Sequence, residues 1–115
     1  MSDVVICAVA RTPVGRYRGA LADRSAVELG VHAVKGLLAK AGVDPASGII
    51  DEVLFGQVLQ AGAGQAPARQ VALGSGMPHS TPATTINKVC GSSLKAVMLA
   101  ANSIRAGEYN VIVAG

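Results

Sequence analysis

Apolar and polar positions change rhythm several times along this chain, and each change marks an element. Residues 4–9 form an unbroken apolar run rich in β-branched side chains, the pattern of a strand covered on both faces of a parallel sheet. Residues 11–24 have no period and contain Pro13, Gly15 and Gly19, so they read as a loop long enough to carry a function. A helical period then opens at Ser25, where Ser25 and Glu28 have the spacing of a capping box. Ala26, Leu29, Ala33, Leu37 and Ala41 follow at helical spacing, and Gly42 supplies the stop. After a turn at Asp44-Pro45, residues 51–59 predict a second strand. The Gly/Ala-rich segment 61–66 leads into a short helix at 67–73, with Pro67 at a permitted first-turn position. Residues 84–89 have strand propensity. Directly after Cys90-Gly91 the helical period resumes through Leu94, Val97, Met98, Ala101 and Ile104, ending at Gly107, and residues 110–114 make a fourth apolar strand.

The alternation of four strands with three helices predicts an α/β fold: a mainly parallel sheet, right-handed crossovers and helices on both faces. The 115 residues set a ceiling of one domain, and 50% hydrophobic against 15% charged residues excludes disorder. With one Phe, two Tyr and no Trp, the core has to come from Val, Leu, Ile and Ala. The last strand has no covering element after it, so the chain is expected to be an incomplete part of a larger fold and to self-associate when isolated.

Charge and cysteine usage narrow the function classes. Arg11, Arg16, Arg18 and Arg24 carry much of the formal charge of +3, with Tyr17 alone among them, and they read as a solvated loop in preference to a nucleic-acid surface. Cys7 and Cys90 show neither Cys-x-x-Cys nor Cys/His spacing, so no metal site or disulfide is expected, and a reducing compartment fits. No apolar run approaches 18 residues and no cationic leader precedes residue 4, so a soluble, cytoplasmic protein without a membrane partner is expected.

The sharpest chemical feature is Cys90, at the junction of a strand and a helix. The unpaired N–H groups and positive end of a helix N-terminus favour a thiolate and can donate to a developing oxyanion. The position alone also fits a small buried core cysteine. Cys7, inside an apolar strand, reads as buried and inert, and His32 and His79, isolated in sequence, read as surface residues. Gly62-x-Gly64 is followed by Pro67 where a dinucleotide turn needs its third glycine. Val89-Cys90-Gly91-Ser92 lacks the glycine two before the nucleophile that a hydrolase elbow needs.

Asn87-Lys88-Val89-Cys90-Gly91-Ser92-Ser93-Leu94-Lys95-Ala96-Val97 resembles the acyl-accepting cysteine segment of thiolases, in particular the acetyl-CoA acetyltransferases. Three further blocks agree in order: Ala10-Arg11-Thr12-Pro13-Val14-Gly15, then Gly64-Gln65-Ala66-Pro67-Ala68-Arg69-Gln70, then the strand at 110–115. The resemblance implies that residues 1–115 are a thiolase N-terminal domain, the N-terminal half of an αβαβα core. The CoA-binding loop domain and the C-terminal domain would lie outside the chain.

It further implies that Cys90 takes an acyl group from a CoA thioester, with its own N–H as one oxyanion donor. The activating histidine and a second, proton-moving cysteine would come from the C-terminal half, so the isolated chain is expected to be inactive. CoA thioesters would be substrates with no resident cofactor, and the full-length protein would be a homodimer or homotetramer pairing the strand at 84–89 across subunits. One departure is Ser93, where the family usually has glycine; serine would strain a φ > 0 position and cost little in a helix. The rival readings are a longer-chain 3-ketoacyl-CoA thiolase, a ketoacyl synthase relative, and a noncatalytic interaction domain with a structural Cys90.

Overall fold

The computed structural model describes residues 3–115. Among the described residues, three helices and three strands form in the order α1 (Ala26–Ala41), β1 (Glu52–Gly56), α2 (Pro67–Gly74), β2 (Ala83–Ile86), α3 (Ser92–Ala106) and β3 (Ile112–Ala114), with a 3-10 turn at Pro45–Ser47 after α1. The helix limits follow local chemistry. The Glu28 N–H donates to Ser25 Oγ at 3.1 Å and the Ser25 N–H to the Glu28 carboxylate at 2.7 Å, closing the capping box. Gly42 and Gly107 end α1 and α3 in the left-handed conformation that costs glycine no Cβ clash.

The sheet is wholly parallel, in the order β2-β1-β3. The chain leaves β1 through α2 to reach β2 on one side, then returns through α3 past β1 to β3 on the other. Crossovers of one hand that move in opposite directions must place their helices on opposite faces, and they do. Val34 and Leu38 of α1 and Val71 and Ala72 of α2 pack with Val53 and Val113 on one face. Ala96 and Ala100 of α3 pack with Leu54, Ile112 and Ala114 on the other. The α/β fold with helices on both faces of a parallel sheet is as expected from the sequence.

Glycine sets how closely the layers approach. A Cβ on Gly30 of α1 would lie 2.7 Å from the Val71 side chain of α2, and one on Gly74 would lie 2.7 Å from Val31. The two helices therefore interlock through reciprocal glycine–valine contacts.

The strand expected at residues 4–9 does not form. The segment has no assigned secondary structure and no strand partner, with Ile6 75% exposed, and Cys7 is exposed instead of buried. Strand propensity reflects the fit of a side chain to a pleated, half-buried surface, and neither edge of the sheet takes this run up. One tie to the body is the Lys40 ammonium, donating to the Val9 carbonyl at 3.2 Å.

The inward face of α3 also differs from the expected one. Ala96 and Ala100 are buried, whereas Leu94 is 68% exposed and Val97 and Met98 also face outward. The helix is apolar on nearly all sides, so periodicity alone does not choose a face. Small residues win because α3 lies close against β1.

Candidate active site

The turn from β2 into α3 presents Cys90. Its thiol is exposed, immediately before Gly91, the N-cap of α3, which offers no side-chain cap. Among the described residues the first-turn amides of Ser93 and Leu94 donate to no carbonyl or side chain. Cys90 therefore directly precedes the open first turn of a helix 15 residues long, whose free N–H groups can donate to a developing oxyanion.

What aims Cys90 is the backbone one residue earlier. Val89 has φ +47°, left-handed territory that a β-branched residue enters at a cost of about 1–2 kcal/mol. Both flanking peptide groups are tied down. Asn87 Oδ1 accepts from the Val89 N–H at 3.0 Å, and Ser92 Oγ donates to the Val89 carbonyl at 2.6 Å while accepting from the Lys88 N–H at 2.9 Å. Three such bonds, each about 1 kcal/mol net, are enough to offset the strain.

The tie extends into the fold. Asn87 Nδ2 donates to the Val58 carbonyl at 3.2 Å, beyond the end of β1. Ser92, only 4% exposed, sits so close to β1 that a Cβ on Gly56 would lie 2.6 Å from its own Cβ. A side chain at position 56 would displace the start of α3. Asn87, Ser92 and Gly56 carry no motif signal for this role, because it depends on a tertiary contact.

Ser93, the departure from the family glycine, is a helical residue of α3 and is not among the positive-φ positions, so serine is unstrained there. It lines an apolar groove of about 270 Å³ with Phe55, Gly56, Gln57, Pro67 and Gly115 at the C-terminal ends of β1 and β3. Cys90 is outside that lining.

The block around α2 is chiefly a brace. Arg69 donates to the carbonyls of Thr81 and His79 at 2.5 and 2.7 Å, and Gln70 Nε2 to those of Ala63 and Gln65. Thr85 Oγ1 accepts from the Ala68 N–H at 3.1 Å, serving as the cap that Ala66 cannot provide. His79 and His32 are both exposed; His32 lies on α1, across the sheet from α3, so neither is brought to Cys90. Among the described residues no cluster of His, Cys, Asp or Glu could hold a metal ion, and no helix is long and apolar enough to cross a membrane.

Comparison with known proteins bears on the family and the fold. The chain is 56% identical over its whole length to an acetyl-CoA acetyltransferase of Cupriavidus necator, covering 29% of that protein. It is 50% identical, again over its whole length, to a mitochondrial acetyl-CoA acetyltransferase of Danio rerio, covering 27% of it. The crystal structure of an Ascaris suum thiolase in complex with coenzyme A superposes with a TM-score of 0.94 at 39% identity, covering 98% of this chain and 29% of that one. The chain thus spans less than a third of the length of these relatives. The family described as the thiolase N-terminal domain matches residues 4–115, and with the fold and the Cys90 turn as described, the chain belongs to the thiolase family.

Proposed function

We propose that this chain carries the acyl-accepting cysteine of an acetyl-CoA acetyltransferase. The Cys90 thiolate attacks the carbonyl carbon of acetyl-CoA, the carbon–sulfur bond to CoA breaks, and CoA leaves, taking up the proton that Cys90 gave up. The enolate of a second acetyl-CoA then attacks the acyl carbon. A carbon–carbon bond forms, the bond to Cys90 breaks, and acetoacetyl-CoA departs; in reverse, CoA cleaves a 3-oxoacyl-CoA. Passing through an acyl-enzyme avoids a direct encounter of two thioesters. The base that takes the Cys90 proton and the group that deprotonates the second substrate belong, on this reading, to a histidine and a cysteine of the C-terminal part of the complete protein. The 115-residue chain alone is inactive on the same reading.

The observation that carries the proposal is the exposed Cys90 thiol at the open N-terminus of α3, in a chain 56% identical to a protein named for this reaction. CoA thioesters are the substrates, with no resident cofactor. The complete protein is a cytoplasmic homodimer or homotetramer, for which β2, at an edge of the sheet, offers a pairing strand. The mitochondrial name of the Danio rerio relative marks the other compartment open to such proteins.

The test is thiolytic cleavage by the complete protein, with acetoacetyl-CoA compared against longer 3-oxoacyl-CoAs. Preference for acetoacetyl-CoA supports the acetyl-specific reading. Preference for longer chains replaces it with a 3-ketoacyl-CoA thiolase, and cleavage of neither sinks the activity. The exposed Leu94, Val97 and Met98 are the observation behind a noncatalytic interaction domain, which that last outcome would favour.

A further inference from the structure

We infer that Asn87 and Ser92 are positioning residues, acting through Val89: they clamp its backbone in the left-handed conformation and thereby aim the Cys90 sulfur. The inference rests on the acyl-accepting role proposed for Cys90 and adds what holds that thiol in place. Val89 is 64% exposed, so no surrounding side-chain packing compels its φ of +47°. The turn's own backbone bonds, from the Gly91 N–H to the Lys88 carbonyl at 3.0 Å and from the Ser92 N–H to the Val89 carbonyl at 3.2 Å, close the chain around it, and side-chain hydrogen bonds fix the remaining groups. Asn87 Oδ1 holds the Val89 N–H, and Ser92 Oγ bridges the Lys88 N–H and the Val89 carbonyl.

Each clamp is anchored on β1 or just after it. Asn87 is held by its bond to the Val58 carbonyl, and Ser92 by its wedge against Gly56. The sheet, the turn and the helix start therefore form one rigid unit, and the orientation of Cys90 is inherited from it. Without the clamp, Val89 relaxes to the extended or right-handed region that β-branched residues prefer, and the Cα–Cβ direction of the following residue turns with it.

A clamp that exists to hold strain is dispensable when the strain is removed. Glycine adopts positive φ without penalty, so Val89→Gly supplies the control background. The rate constant for acylation of Cys90 by acetyl-CoA, measured in the complete protein by acid quench and peptide mass spectrometry, is compared for Ser92→Ala in two backgrounds. We expect a loss of about tenfold with Val89 present, as misplacement of a reacting atom implies. In the Val89→Gly background the loss should be under about twofold, a non-additivity that reports coupling. Asn87→Ala should behave in the same way, because it removes both the acceptor for the Val89 N–H and the donor to the Val58 carbonyl.

Equal losses in both backgrounds, or an unchanged rate in Ser92→Ala, would overturn the clamp. A merely structural serine lowers the melting temperature and leaves the rate per folded molecule unchanged, which is also a contrary result. Should Ser92→Ala not fold, the Asn87→Ala pair decides by the same criterion. Failure of the underlying reading is distinct: the unmutated protein would then carry no acyl group on Cys90 at all.

Discussion

Both thiols of this chain reach solvent, and their surroundings share little else. Cys7 lies in a segment without secondary structure, among exposed apolar side chains, and opens no helix. Cys90 lies between a strained, doubly tied residue and the open first turn of α3. The sequence suggests a contrast between a buried and an accessible cysteine. The structure replaces it with a contrast in backbone order: access is common to both, and preorganisation belongs to Cys90 alone.

The largest expected effect separates the two directly. In the complete protein, Cys90→Ser should lower turnover by about 10³-fold or more, because a serine hydroxyl is a far poorer nucleophile at neutral pH. Cys7→Ser should stay within about twofold of the unmutated rate, because Cys7 takes no part in the proposed reaction. Comparable losses in the two variants would erase the distinction.

Glycine substitutions sharpen the role of backbone order. A Cβ at Gly56 meets Ser92 Cβ at 2.6 Å, so Gly56→Ala should destabilise the fold by about 1–3 kcal/mol and slow alkylation of Cys90 without changing that of Cys7. Gly36 on α1 has nothing within 4 Å of its would-be Cβ, and Gly36→Ala should stabilise the helix by about 0.5–1 kcal/mol. Urea denaturation reads both changes, and a Gly56→Ala variant as stable as the unmutated protein would refute the close approach of β1 to α3.

Iodoacetamide gives a smaller effect. Cys90 should react several times faster than Cys7 at neutral pH, roughly three- to tenfold, because the free N–H groups of the first turn of α3 can stabilise the charge that develops as the sulfur attacks. Equal rates would mean that the open turn does not act on the sulfur.

The smallest effect concerns the far end of the sheet. The backbone N–H groups of Val111 and Asn110 donate to the Asp51 carboxylate at 2.9 and 2.8 Å and hold its pKa below the ordinary value, Val111 contributing most. A depressed carboxylate stabilises the fold above its unfolded pKa of about 4 and loses that contribution as pH falls through the lower, folded value. Asp51→Ala should therefore cost about 1 kcal/mol at neutral pH, with the difference from the unmutated protein shrinking in acid. A difference that grew on acidification would show the sign to be wrong.

Where local chemistry decides, the fold was legible from the chain. Ser25 with Glu28, and Gly42 and Gly107, mark helix ends through contacts within a few residues, and they fall where expected. Cys90 stood out for the same reason, at a strand–helix junction inside a segment resembling that of the thiolases. Residues 4–9 were misread because a strand needs a partner and the run itself carries no sign of one. The buried face of α3 was misread because Ala96 and Ala100 compete with larger apolar residues on the other side. The Asn87, Ser92 and Gly56 arrangement was invisible, since valine at position 89 argues against a left-handed turn and the contact that enforces it joins β1 to α3.

The central claim is that Cys90, held at the open end of α3, carries the acyl group. Its most direct test is to mix the complete protein with isotopically labelled acetyl-CoA, quench in acid and map the label by peptide mass spectrometry. A thioester-linked acetyl group, released by hydroxylamine, is expected on the peptide containing Cys90 and none on the peptide containing Cys7. Label on Cys7 instead, or a protein that turns over acetoacetyl-CoA while Cys90 stays unmodified, would contradict it.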